Sequence, residues 1–209
     1  GDDRYVVDNL GDKVFETTTT TSQYDAGGTD TVDSSINWTL GNFVENLTLT
    51  GSGNLSGIGN ALANTLRGNA GINVLDGKAG VDVLDGGEGS DIYLVGLASD
   101  HAAAEIADSG NGGSDEVRFA ANTSGTLTLF AGDTGIERVV IGSGLGEVAV
   151  SSGTLALDVD ASRVANALSL LGNAGANVLT GTAYADTLDG GAGADRLMGG
   201  DGNDRLIGG

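Results

Sequence analysis

Glycine and aspartate recur together in a fixed pattern at three places in the 209-residue chain. Nonapeptides that begin at Gly86, Gly190 and Gly199 read G-G-x-G-x-D-x-U-x, in which U is a large apolar residue. Glycine reaches backbone angles that other residues avoid, so such a loop can turn its carbonyl groups inward beside the aspartate. Carbonyl and carboxylate oxygens are ligands of hard cations, and Ca²⁺ takes about 6–8 of them at about 2.3–2.6 Å. The pattern therefore predicts calcium-binding loops.

Six aspartates and six glycines are the candidate metal-binding residues. The aspartates take position six of a nonapeptide and supply negative charge: Asp3, Asp82, Asp91, Asp186, Asp195 and Asp204. The glycines shape the three loops that match the pattern fully: Gly87, Gly89, Gly191, Gly193, Gly200 and Gly202. We predict no catalytic residue and no enzyme activity, because the chain lacks a zinc-protease helix motif, a nucleophile-elbow serine and a phosphate loop.

The loops belong to two runs of four nonapeptides in strict register, 59–94 and 172–207. Position eight of each nonapeptide carries one large apolar side chain: Leu66, Leu75, Leu84, Tyr93, Leu179, Leu188, Leu197 and Leu206. A six-residue turn followed by three residues with one apolar anchor predicts a very short strand after a tight loop. Two such half-turns make one coil, and stacked coils bury the apolar row that no single repeat can bury. The runs thus predict an all-β solenoid.

Segments of alternating apolar residues lie before the first run and between the two runs. The alternating residues are Ile36, Trp38 and Leu40, Leu47 and Leu49, Val139 and Ile141, Val148 and Val150, and Leu155, Leu157 and Val159. They predict longer strands that continue the same stack as wider rungs. We interpret Thr17–Thr21 as a solvated loop or edge strand, His101 as a solvent-exposed loop residue, and 101–107 as too short for a stable helix.

The chain contains two related units. The segment 68–87 reappears as 172–191, the segment 1–6 matches 89–94, and 27–32 matches 112–117. We therefore predict a first unit at 1–90, with calcium nonapeptides at 59–94, and a second, diverged unit at 91–209, with calcium nonapeptides at 172–209. Both ends of the sequence fall inside a nonapeptide, so we expect these residues to be a window on a longer array.

The composition limits the partners of this chain. Its formal net charge of −20 repels nucleic acid and anionic membrane surfaces and favours bound divalent cations. There is no cysteine for disulfides or thiolate metal sites. No apolar stretch is long enough for membrane insertion, and no export signal opens the sequence. With 38 glycines and few aromatic residues, the chain can fill only a thin, regular core.

The nonapeptides resemble the RTX (hemolysin-type calcium-binding) repeats of type I-secreted proteins. The resemblance implies a right-handed parallel β-roll in which each ion lies between loops eighteen residues apart. The pairs at this spacing are Asn64 with Asp82, Asn73 with Asp91, Asn177 with Asp195, and Asp186 with Asp204. Loops with asparagine lack charge, and we interpret them as calcium-poor coils joined by side-chain amides. A solenoid that has lost calcium stays an alternative, above all in the first run, where Lys78 occupies a glycine position.

Two functions fit these observations. The first is a calcium-binding structural segment of a large secreted or cell-surface protein, of the adhesin, surface-layer or filament type, that folds on Ca²⁺ outside the cell. The alternative is the calcium-dependent folding and secretion module of an RTX exoenzyme such as a protease, lipase or epimerase. The resemblance implies an extracellular or cell-surface location in a Gram-negative bacterium. Calcium ions, and neighbouring repeats or other copies of the array, are the expected partners.

Overall fold

The computed structural model describes residues 1–17, 25, 27–110 and 112–209. In this part of the chain there are eighteen strands and one short 3₁₀ helix, and the strands pair with one another only in parallel. The prediction of an all-β parallel roll is therefore confirmed. Of the threonine run, only Thr17 lies among the described residues, so the prediction for the rest of that run falls outside them.

The strands are short, and within the two nonapeptide runs they follow one another every nine residues. In chain order they are β1 Arg4–Val7, β2 Thr31–Ser34, β3 Trp38–Thr39, β4 Asn46–Leu49, β5 Ser56–Ile58, β6 Thr65–Arg67, β7 Val74–Asp76, β8 Val83–Asp85, β9 Ile92–Val95, β10 Glu116–Phe119, β11 Gly125–Thr128, β12 Arg138–Ile141, β13 Leu157–Asp160, β14 Ser169–Leu171, β15 Val178–Thr180, β16 Thr187–Asp189, β17 Arg196–Met198 and β18 Arg205–Ile207. The 3₁₀ helix is Ala98–Asp100.

Three sheets form the faces of the solenoid. The first sheet has the order β1-β2-β4-β6-β8, the second has the order β3-β5-β7-β9-β10-β12-β14-β16-β18, and the third has the order β11-β13-β15-β17. The second sheet therefore runs without a break from the first nonapeptide run to the second. The first sheet accompanies it in the N-terminal half of the chain, and the third sheet in the C-terminal half.

The nonapeptides fold as predicted, with a strand on the last three residues of each. Leu66 pairs with Leu84 and Leu75 pairs with Tyr93, so neighbouring strands of one sheet are eighteen residues apart. The side chains of this row are fully buried in the first run, with exposures of 0–2%. Each buried leucine contributes about 2 kcal/mol by leaving water. Stacking thus supplies a core that no single coil has.

The segments between the runs are wider rungs of the same stack, as the alternation predicts. Tyr93 pairs with Val117, 24 residues later, and Val117 pairs with Val139, 22 residues further on. All three side chains are buried at 0–1% exposure. The extra residues of each wider rung form loops outside the sheets, and the strand that follows pairs in the same register. This is possible because the parallel pairing constrains only the strand residues.

The strand prediction is wrong at Val148 and Val150. Their side chains are 81% and 55% exposed, and the backbone of Val150 instead makes an antiparallel bridge to Ser143. Here the alternating residues lie in a short loop outside the stacked sheets, where the valine side chains are exposed to solvent. Residues 101–107 form no helix, as expected, and Ile106 stacks in parallel on Leu84.

Candidate metal centre

The residue that precedes each strand belongs to a column of stacked side chains. In the column before the second sheet, the amide of Asn73 donates to Oδ1 of Asp91 at 2.6 Å, and the amide of Asp91 donates to Oδ1 of Asp115 at 2.7 Å. The amide of Asp115 in turn donates to Oε2 of Glu137 at 2.8 Å. One acceptor per coil therefore lies directly above the next, at the place where each loop meets its strand.

The other two sheets have columns of the same kind. Before the first sheet, the amide of Asp30 donates to Glu45 and the amide of Asn64 donates to Asp82, both at 2.8 Å. Before the third sheet, the amide of Asn177 donates to Oδ1 of Asp195 at 2.9 Å. The eighteen-residue pairs that the sequence singles out are thus brought together by direct hydrogen bonds between coils.

Asparagine at position six joins the coils without charge. The amide Nδ2 of Asn64 donates to the carbonyl of Glu45 at 3.1 Å, and that of Asn177 donates to the carbonyl of Leu157 at 2.6 Å. The same side chains accept from amides in their own loops, for example Asn177 Oδ1 from Asn173 N at 2.9 Å. A neutral amide has both donor and acceptor, so it satisfies a buried rung by itself. The interpretation of these coils as amide-linked is confirmed.

In three of the coils the position-six aspartate leaves one oxygen unsatisfied. The Oδ2 atoms of Asp82, Asp91 and Asp195 are buried and have no hydrogen-bond partner among the described residues. Asp82 and Asp91 are 1% and 0% exposed. Burying an ionised carboxylate without a partner is unfavourable. A hard cation bound between the loops would be the missing partner of these oxygens, and the donor set therefore fits Ca²⁺.

Burial of these carboxyl groups also changes their acidity. Burial raises the pKa of Asp82 to about 6, although the hydrogen bond from the amide of Asn64 opposes the shift. Burial likewise raises the pKa of Asp91 to about 7, against the hydrogen bond from Asn73. Neighbouring carboxylates add to both shifts. The pockets thus disfavour a bare negative charge and favour a carboxylate that is paired with a cation.

Glycine is required in the loops both for its backbone angle and for the spacing between coils. Gly89 has a φ of +133°, and a Cβ there would lie 2.6 Å from the carbonyl oxygen of Gly71 in the previous coil. Gly193 has a φ of +132°, and a Cβ there would lie 2.4 Å from the carbonyl oxygen of Gly175. The remaining four candidate glycines also have positive φ: Gly87, Gly191, Gly200 and Gly202. Lys78 adopts a φ of +70° without being glycine.

The remaining candidate aspartates differ in their surroundings. Asp186 already accepts from the amide of Leu168 at 2.7 Å and from the amide and hydroxyl of Thr182 at 2.6 and 3.0 Å. The threonine stands where the nonapeptide pattern has glycine. Asp204 accepts from the amide of Asp186 at 3.0 Å, and Asp3 is exposed and donates its amide to Asp30 at 2.7 Å.

Four acidic residues that cluster with the candidate aspartates are absent from the sequence-based set. Oxygens of Asp91, Asp108 and Asp115 lie within 4.8 Å of one another, and so do those of Asp3, Glu16 and Asp30. Asp30 and Asp115 end matching segments, GGTD and GGSD, which are shortened forms of the nonapeptide loop. That signal could have identified them. Asp108 and Glu16 belong to the loops that widen the coils and carry no such signal.

The prediction that His101 is exposed is wrong. The residue is 7% exposed, with Nε2 2.9 Å from Oδ2 of Asp133 and Nδ1 3.3 Å from Oε2 of Glu105. Burial alone lowers the pKa of His101, but the hydrogen bonds and charges of Asp133 and Glu105 outweigh it and raise the pKa to about 9. The sequence gives no warning, because Asp133 joins the site from 32 residues away.

Comparison with known families identifies the loops. The model of the RTX calcium-binding nonapeptide repeat, which spans four copies, matches residues 58–93 and 171–206. No curated protein and no solved structure matched the chain. The described residues include no helix with the length and apolarity needed to cross a bilayer. RTX repeats bind calcium and are typical of type I-secreted extracellular proteins. The two nonapeptide runs of this chain are therefore RTX calcium-binding repeats, stacked in a parallel β-roll.

Proposed function

We propose that this chain is a calcium-stiffened structural segment of a large secreted or cell-surface protein, of the adhesin, surface-layer or filament type. The observation that carries the proposal is the second sheet, which continues through nine strands and joins both nonapeptide runs into one solenoid. A single ladder of this kind transmits load and direction along the chain. It suits a spacer better than a pair of independent binding modules.

Calcium gives this segment its stiffness. The columns bring carboxylates of successive coils together, and the whole chain carries a net charge of −20. Like charges at this spacing oppose stacking unless cations lie between them. The candidate ligands are the position-six aspartates with the carbonyls of the glycine-rich loops, and Asp186 contributes least because Thr182 already satisfies its oxygens.

Folding is coupled to the location of the protein. Extracellular calcium modules bind with dissociation constants of about 10⁻⁴ to 10⁻³ M, so cytosolic calcium leaves them empty and millimolar calcium fills them. We propose that the chain is exported from a Gram-negative cell without a folded roll and stacks outside. The units 1–90 and 91–209 act as repeats of one array that share the second sheet.

Circular dichroism and small-angle X-ray scattering test the proposal. In chelator at pH 8 the far-ultraviolet β signal should be lost and the chain should expand. Millimolar Ca²⁺ should restore an elongated rod, and equal Mg²⁺ should not. A chelated protein with full β signal and an unchanged melting temperature would refute calcium as the organiser. A catalytic domain in the same reading frame would instead favour the exoenzyme module.

A further inference from the structure

We propose a second class of calcium site in this roll, in which two stacked loop carboxylates are completed by a third from the insertion that widens the coil. The clearest example consists of Asp91, Asp108 and Asp115. In a nonapeptide coil, the carboxylate that stacks in the column before a strand comes from position six. Asp108 comes instead from the segment between β9 and β10, outside the residues that match the repeat family.

The widened coil places Asp108 between the two loops. From Asp91 to Asp115 the coil takes 24 residues rather than eighteen. Oδ1 of Asp108 accepts from the amide of Gly110 at 2.9 Å and from the amide of Gly87, in the loop of Asp91, at 3.2 Å. These two bonds fix the carboxylate, and oxygens of all three aspartates then lie within 4.8 Å of one another.

Two of these aspartates have an oxygen that needs a ligand. Oδ2 of Asp91 and Oδ2 of Asp108 are buried without a hydrogen-bond partner in the described part of the chain, and Asp91 as a whole is 0% exposed. None of the ion pairs among the described residues involves the three aspartates. A divalent cation satisfies all of these groups at once.

The same arrangement occurs a second time at the equivalent place in the first unit. Asp3 and Asp30 correspond to Asp91 and Asp115, and the coil between them takes 27 residues. The third carboxylate is Glu16, again from the insertion, and it is 2% exposed. Oδ2 of Asp30 is buried with no partner among the described residues. Tyr5 donates its hydroxyl to Oε1 of Glu16, which orients that side chain.

The backbones at the two places also match. A Cβ at Gly28 would lie 2.0 Å from the carbonyl oxygen of Gly1, and a Cβ at Gly113 would lie 1.5 Å from that of Gly89. Both loops therefore stack in direct contact and can present carbonyls to one ion. Because calcium affinity rises with the number of charged ligands, the three-carboxylate sites should fill before the nonapeptide sites. This inference holds whether or not the array serves as a spacer.

Calorimetric titration of the full chain with CaCl₂ tests the proposal. Asp108→Asn should bind one calcium ion fewer than wild type and lose its tightest phase, with the same circular dichroism at saturating calcium. The charge-matched control is Asp8→Asn, because Asp8 is exposed and follows the opposite end of β1 from Asp3, and it should keep all ions. Glu16→Gln should remove the equivalent ion of the first unit.

Each outcome is decisive. An unchanged number of ions with unchanged affinities in Asp108→Asn would overturn the proposal, and so would failure of that variant to fold at saturating calcium, since losing one ion should leave the other rungs intact. A wild-type chain that binds no calcium would overturn both this proposal and the proposed function. A wild-type chain that binds calcium only at the three-carboxylate sites, and not at the nonapeptide loops, would contradict the proposed function but support this proposal.

Discussion

Removing calcium should make the stability of this protein fall steeply as the pH rises. Asp82 and Asp91 have folded-state pKa values raised by burial to about 6 and about 7, from an ordinary value of 3.8. The folded chain therefore holds protons that the unfolded chain has released. The stabilising effect is present in full below pH 4 and is lost as the pH rises through these folded-state values.

The contribution of Asp82 and Asp91 follows from their two shifts, and Asp115, whose pKa is also raised by burial, adds to it in the same direction. Each unit of pKa corresponds to about 1.4 kcal/mol, so complete ionisation costs the folded state about 3 kcal/mol at Asp82 and about 4 kcal/mol at Asp91. Part of this cost is already present at pH 5, and the remaining difference between pH 5 and pH 8 is about 4 kcal/mol. For a chain of this length that difference lowers the melting temperature by about 10 °C. Typical domains have about 5–15 kcal/mol in all.

Circular dichroism of the calcium-free protein at pH 5, 6, 7 and 8 measures this dependence, as the folded fraction at each pH and as thermal or urea unfolding wherever the β signal persists. The double variant Asp82→Asn and Asp91→Asn should show a weaker slope between pH 5 and pH 7, because the amides do not titrate, and the slope that is left belongs to Asp115, whose pKa is also raised by burial. Saturating calcium should remove the aspartate part of the wild-type slope in the same window. Equal stability at pH 5 and pH 8 in chelator, or greater stability at pH 8, would refute the reasoning.

Other predictions concern the core, the loops and the buried histidine. Leu75→Ala should cost about 2–5 kcal/mol of calcium-bound stability in urea unfolding, whereas Leu206→Ala should cost under about 1 kcal/mol because Leu206 is 50% exposed. Gly89→Ala should cost about 3 kcal/mol or more, since its φ is +133°; Gly146→Ala, which has open space, is the matched control. With calcium bound, the stabilisation by protonated His101 should be complete below pH 6.5 and lost as the pH rises through about 9. His101→Gln should remove that dependence, and a slope that persists would contradict the assignment. We expect no hydrolase, lyase or epimerase turnover, and activity that a point mutation abolishes would contradict this.

The structure of the two nonapeptide runs could be predicted from the sequence alone. Each loop turns at its own glycines and each strand carries one large apolar side chain, so the nine-residue period predicts the strands and the eighteen-residue pairs. Leu75 lies opposite Tyr93 and Asn177 lies opposite Asp195 because both contacts follow from counting one coil. Such contacts follow from the repetition of one local geometry, because each repeat contacts only its neighbours, and the repeat length can be counted directly in the sequence.

Only the tertiary structure decided what the wider rungs do. Asp108, Asp115 and the pair of His101 with Asp133 come together across coils of 22 to 32 residues, in which insertions of unequal length precede the next strand. The ladder fixes where each strand returns, but not which insertion side chain points inward. Burial then determines whether a carboxylate or an imidazole is charged, and that burial is a property of the assembled stack rather than of the local sequence.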